Sequence, residues 1–162
     1  MLDKNLEKKF MLRAIELSKE AGIVKKTGGV FGAVIVKNGK IIGEGYNQVL
    51  KTKDPTWHAE VAAIRNACKN MGTPHLNGAI LYTSSEPCPM CLGAAYWAQI
   101  DKIYYASTVE DALKYGNFQD FDMYQDFRLP KAERKIKAFE FLREEAVKVW
   151  QEFAQMPDKA WY

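Results

Sequence analysis

His58-Ala59-Glu60 is followed about thirty positions later by Pro87-Cys88-Pro89-Met90-Cys91, so the chain must fold to bring an imidazole and two thiols to one point. A catalytic zinc takes three protein ligands and keeps its fourth tetrahedral position for water, and His58, Cys88 and Cys91 make up such a set. Cys88 and Cys91 are three apart, which on a helix puts both sulfurs on one face. Pro89 suits the first helical turn, where its missing N–H costs nothing and its fixed φ is already helical. The thiolates would then stand at the positive end of the helix dipole. Glu60 is too close to His58 for an ordinary helical chelate pair, and its expected work is proton transfer to and from water on the metal. A structural zinc needs a fourth protein ligand, and the remaining cysteine, Cys68, lies ten residues after His58, roughly 15 Å along the same helix. Cys68 is expected to be a buried spectator.

Length and charge narrow the classes further. A chain of 162 residues with an ordinary apolar fraction suits a single domain spanning 1–162. No apolar run approaches a membrane span, and the opening Met1-Leu2-Asp3-Lys4-Asn5-Leu6-Glu7 lacks a signal-peptide core, so a cytoplasmic protein with no membrane partner is expected. Three cysteines, two of them in a ligand motif, do not make a disulfide framework. Residues 1–53 carry eleven Lys/Arg against five Asp/Glu, and residues 54–162 twelve against fifteen. The basic side chains are scattered and poor in arginine, which favours a solvated surface over a nucleic-acid partner.

Apolar residues at Leu6, Phe10, Ala14, Leu17 and Ala21 predict an amphipathic helix that Gly22 ends or frays. Val30–Val36 and Ile41–Tyr46 read as strands around Asn38-Gly39, a strong hairpin signal. A loop over 47–56 leads to a helix over 57–70, with Trp57, Val61, Ile64 and Ala67 facing the core. Strand 79–83 precedes the cysteine helix, 88–99, and strand 102–106 precedes a helix over 109–115. Strands alternating with helices imply a parallel pair, added to the antiparallel hairpin. Residues 116–128 read as a wall of the active site, Ile136–Phe139 as a last strand, and 142–153 as a final helix. The expected fold is a three-layer α-β-α sandwich around a mixed five-stranded sheet.

His-x-Glu with Pro-Cys-x-x-Cys and a glutamate that is not a ligand is the signature of zinc deaminases. The stretches Phe31–Val36, Asp54–Arg65 and Tyr82–Ala94 resemble the cytidine-deaminase-like superfamily, and within it the branch of small bacterial guanine deaminases. The resemblance runs nearly end to end and includes Ala95-Tyr96-Trp97-Ala98 and the terminal tyrosine. It implies zinc as cofactor and hydrolytic deamination of a purine base, guanine to xanthine plus ammonia. Asn47 occupies the place of the branch's purine-binding asparagine. Phe31 keeps the ring that lies over the base in its Gly-Pro-Phe-Gly motif, which here reads Gly29-Val30-Phe31-Gly32. Trp97 is a candidate for the same pocket, although helical spacing alone puts it in the core. The backbone N–H groups of Ala59 and Cys88 are candidates for polar contacts to the reaction intermediate.

The branch's Gly-Phe-Asp-Asp stretch becomes Gly116-Asn117-Phe118-Gln119-Asp120-Phe121, which makes Asp120 the candidate for a second proton shuttle, with Asp122 and Asp111 as register alternatives. Tyr162 matches a tyrosine that closes over the site in a homodimer whose C-terminal segments are exchanged. Deamination of a nucleoside or another base (guanosine, cytidine, cytosine, adenine), editing of tRNA adenosine, and a zinc-stabilised binding module without catalysis are the competing readings. A binding module has no need of Glu60.

Overall fold

The structure, a computed structural model, describes residues 4–160. Its elements are helix α1 (Lys4–Lys19), strands β1 (Gly32–Lys37) and β2 (Lys40–Tyr46), helices α2 (Val49–Thr52) and α3 (Ala59–Met71), strand β3 (Ala79–Ser85), helix α4 (Pro89–Trp97), strand β4 (Lys102–Ser107), and helices α5 (Val109–Gly116), α6 (Asp120–Asp126) and α7 (Arg143–Gln155). The chain divides into two compact units, the first ending at Phe121.

In the first unit the sheet order is β2-β1-β3-β4. Asn38 and Gly39 both take positive φ, 51° and 72°, the pair of left-handed residues that a two-residue hairpin turn requires. Lys37 then faces Lys40, and the β1–β2 register shifts by a bulge between Ile35 and Val36. β3 pairs antiparallel with β1 and parallel with β4, with α4 as the crossover. Alternation along β1 sorts the core into two layers. Ala33 and Ile35 join Ala59, Ala63, Ile64 and Ala67 of α3 and Ala95 of α4. Val34 and Val36 join Phe10 and Leu17 of α1, and Tyr82 of β3. Helices therefore cover both faces of a mixed sheet, as the strand-helix alternation predicts.

The sheet has four strands among the described residues, one fewer than the sequence suggests. Ile136–Phe139 is irregular, and a short apolar run becomes a strand only where a neighbouring edge pairs its N–H and C=O groups. The first helix also departs from expectation. Gly22 does not end it; after Lys19 the chain widens into a π-helical turn over Glu20–Val24, where Lys25 N–H bonds to Glu20 O at 2.8 Å. Ile64 and Ala67 are buried as predicted, whereas Trp57 and Val61 are only half-buried.

Gly43 and Gly45 lie two apart in β2, and α3 rides directly on them. A Cβ at Gly45 would meet the Ala59 carbonyl and stand 2.5 Å from Ala63 N, and one at Gly43 would stand 2.5 Å from Ala63 O. Backbone on both sides leaves nothing to yield, so this contact sets the height of the helix that starts at His58. Gly45→Ala is expected to cost about 1–3 kcal/mol, as overpacked cores do. That corresponds to a fall of roughly 2–12 °C in Tm, readable by calorimetry. The second unit, from Asp122, holds α7 and a loop organised by Arg134, whose guanidinium donates to Leu129 O at 3.0 Å and Phe127 O at 3.1 Å. No residue of α7 is buried. Among the described residues no helix is long and apolar enough to cross a membrane.

Candidate active site

Two helix starts meet at the end of β3. His58 is the N-cap of α3, with Glu60 in the first turn, and Cys88 is the N-cap of α4, with Pro89 at the first or second helical position and Cys91 one turn on. Both helices aim the positive ends of their dipoles at this point. Glu86 fixes the lead-in from β3: its N–H donates to Ser107 O at 2.8 Å and its Oε2 accepts from Val109 N–H at 3.2 Å.

The ligand atoms of His58, Cys88 and Cys91 lie within 4.8 Å of one another. Each sulfur is 3.5 Å from His58 Nδ1. A tetrahedral zinc with Zn–S of about 2.3 Å and Zn–N of about 2.0–2.1 Å would hold sulfur and nitrogen about 3.5 Å apart, so the three residues fit the ion. Cys68 does not belong to this group; it is half-buried, and its thiol donates to Pro74 O at 3.7 Å.

Titration reflects the crowding. The Cys91 hydrogen bond pulls the Cys88 thiol down to about 4, with His58 acting in the same sense and burial opposing. Donation to Cys88 pushes Cys91 up, and burial and Glu60 add to the shift. Two sulfurs sharing one proton is the arrangement a divalent cation can take over.

Glu60 is 3% exposed. Its Oε1 accepts from Thr83 Oγ1 at 3.0 Å, and its Oε2 lies 3.3 Å from Cys91 Sγ. Burial raises its pKa above the usual carboxylate range, and hydrogen bonds from its own backbone, Cys91 and Thr83 oppose the shift. A carboxyl so placed can hold a proton beside the ligand set and release it.

These groups open into a cavity of about 310 Å³ whose walls include Phe31, Asn47, His58, Glu60, Glu86 and Phe118. Asn47 is buried, and its Oδ1 accepts from Val49 N–H at 3.2 Å. Phe31 meets Phe118 edge to face, ring centroids 4.9 Å apart. Gly28 makes room for the asparagine: a Cβ there would collide with Asn47 Oδ1 and stand 2.8 Å from Asn47 Cγ.

A match to the model of the cytidine and deoxycytidylate deaminase zinc-binding region covers residues 4–107. The chain belongs to that family. It is 46% identical to guanine deaminase of Bacillus subtilis (strain 168), over 94% of this chain and 97% of the relative. It is 36% identical to a tRNA-specific adenosine deaminase of Aquifex aeolicus, over 75% of this chain and 78% of the relative. The X-ray structure of the Bacillus subtilis guanine deaminase superposes with a TM-score of 0.90 at 45% identity, covering 96% of this chain and 98% of that one. Zinc is the metal of this deaminase domain, and His58, Cys88 and Cys91 are positioned to bind it.

The structure brings His58, Glu60, Cys88, Phe31 and Asn47 to one cavity, and Cys91 completes the ligand cluster with His58 and Cys88. Ala59, the first residue of α3, is fully buried beside them, and a helix leaves its first N–H groups unpaired. Trp97 stands apart. It is 70% exposed on α4, neither in the core nor among the residues lining the cavity, because the buried face of α4 is the one that carries Cys91 and Ala95. Asp111 is engaged in a capping box with Thr108 at the start of α5, and Asp122 is exposed in the second unit. The side chain of Asp120, and Tyr162, lie outside the described residues. Sequence reasoning missed Glu86, Val49 and the two glycines at 28 and 29 as cavity walls. The Gly28-Gly29 pair was the available signal, since adjacent glycines mark close approach.

Proposed function

We propose that this protein catalyses the hydrolytic deamination of guanine to xanthine and ammonia. The observation that carries the reading is a complete ligand set with a buried glutamate at the base of a cavity lined by Phe31 and Asn47, in a chain matching a guanine deaminase over nearly the full length of both. The cavity, about 310 Å³, is at the lower end of the range of about 300–1,000 Å³ for ligand pockets, which favours a free base over a nucleoside or an RNA loop.

His58, Cys88 and Cys91 would hold the zinc, which would supply Lewis acidity toward water at neutral pH. Glu60 takes a proton from the attacking water and hands it to a ring nitrogen of the base. It then takes the second proton and delivers it to the departing amine, so that one water and one guanine leave as xanthine and ammonia. Because Val49 N–H occupies Asn47 Oδ1, the carboxamide has its N–H donors left for a ring acceptor of the purine. Phe31, braced by Phe118, presents a ring for stacking. Asp120 is the second proton carrier in this reading, and Ala59 N–H a further contact to the substrate.

The active form in this reading is a cytoplasmic homodimer, one domain per chain, whose C-terminal segments are exchanged between the subunits. Support comes from α7: Val149 is 66% exposed and Trp150 70% exposed, apolar surface that gains from cover. Sedimentation of the full chain is expected to give a dimer, and removal of residues 143–162 to give a monomer with little activity. A truncated chain that is dimeric and fully active would remove the exchange.

Ammonia release from guanine, guanosine, adenine, cytosine and cytidine tests the substrate. Guanine is expected to be the preferred source, and ammonia from guanosine alone would overturn the assignment. Gly28→Ala is expected to displace Asn47 and to raise KM for guanine about tenfold or more with little change in zinc content, in line with the loss of one good hydrogen bond to a substrate.

A further inference from the structure

We propose that Thr83 is a positioning residue for the deamination step: its hydroxyl holds Glu60 Oε1 and thereby makes Oε2 the oxygen that exchanges protons with water and substrate. The proposal rests on the deaminase reading above and adds a residue to it.

The terminal torsion of a glutamate is soft, so the backbone of α3 fixes where the carboxylate sits but not the plane in which its oxygens lie. At 3% exposure Glu60 has little water to orient it, and the plane is set by its hydrogen-bond partners. Thr83 is fully buried, and its Oγ1 is 3.0 Å from Glu60 Oε1 and 3.0 Å from Ser85 O. The mount is rigid, because a threonine side chain is restricted at χ1 and β3 is paired on both edges at this point, with Ala33 of β1 and Tyr105 of β4.

The other oxygen, Oε2, points to the ligand set, 3.3 Å from Cys91 Sγ. A thiolate bound to a metal has no proton to donate. With Cys91 so engaged, Thr83 is the remaining side-chain donor that the structure gives Glu60 among the described residues. The hydroxyl has a single proton for two acceptors, Oε1 and Ser85 O; given to Oε1, it holds that oxygen whether or not Oε2 carries the proton of the acid.

Thr83→Val removes the hydroxyl and keeps the branched shape. It is expected to lower kcat for guanine by about ten- to a hundredfold, a fraction of what a general acid–base contributes. KM, zinc stoichiometry and binding of xanthine are expected to stay within about twofold, and Thr83→Ser to recover kcat to within about threefold of the wild type. Should Thr83→Val not fold, Thr83→Ala carries the same comparison. Wild-type kcat in the valine variant, a defect that lies only in KM or zinc content, or a serine variant as slow as the valine one would each overturn the proposal. If the wild type deaminates a different base, guanine is wrong as the substrate, and the same variants measured on that base still decide the role of Thr83.

Discussion

Glu60→Gln is expected to lower kcat by about 10²–10⁴-fold while the protein still binds one zinc per chain, the range for removal of a general acid–base. The amide keeps the size of the carboxyl and can still accept from Thr83, so neither the cavity nor the metal cluster need change. What disappears is the ability to take a proton from water and return it twice in one turnover. Glu60 is not a member of the ligand group, which consists of His58, Cys88 and Cys91. Activity and metal content should therefore separate. Paired measurements of ammonia release and zinc by atomic absorption check the result, and a zinc-loaded variant of normal rate would dismiss Glu60 as the proton carrier.

Cys91→Ala is expected to lose zinc and turnover together. The side chain is fully buried at the start of α4, and with one thiolate gone only His58 and Cys88 remain to hold the ion. Two ligands do not make a catalytic zinc site. A second effect follows from linkage, because an ion that binds only the folded chain stabilises it by RT ln(1 + [L]/Kd). At a zinc concentration a thousandfold above Kd that is about 4 kcal/mol. Wild-type Tm should rise with added zinc and fall with chelator, and the Tm of the variant should respond to neither. A variant that still unfolds at a zinc-dependent temperature would mean that the ion is held elsewhere.

Local chemistry made part of the fold legible in the sequence, and long-range pairing hid the rest. Asn38-Gly39 announces the β1–β2 turn because few other residue pairs accept two positive φ values in a row. Pro89 and the three-residue cysteine spacing announce the start of α4 for reasons confined to one helical turn. Ile136–Phe139 carries apolar residues without a partner edge, and sequence pattern cannot tell that from a strand. Trp97 failed similarly, since helical spacing shows that a face exists but not which way it points. In the site, His58, Glu60, Cys88 and Cys91 stand in short motifs whose spacing is itself chemical. Thr83 and Glu86 take their roles from where β3 lies against α3 and α5, a relation no local pattern encodes. Val49 reaches Asn47 through a short helix, α2, inside a stretch that lacks periodicity and reads as loop.

X-ray absorption at the zinc edge of the active protein addresses the ligand set on which everything else depends. Two sulfurs at about 2.3 Å and two nitrogen or oxygen neighbours at about 2.0–2.1 Å are expected, one of them the His58 imidazole and the other water. Replacement of that water by a third sulfur or a second imidazole, or activity that survives complete removal of the metal, would contradict an open zinc site at His58, Cys88 and Cys91.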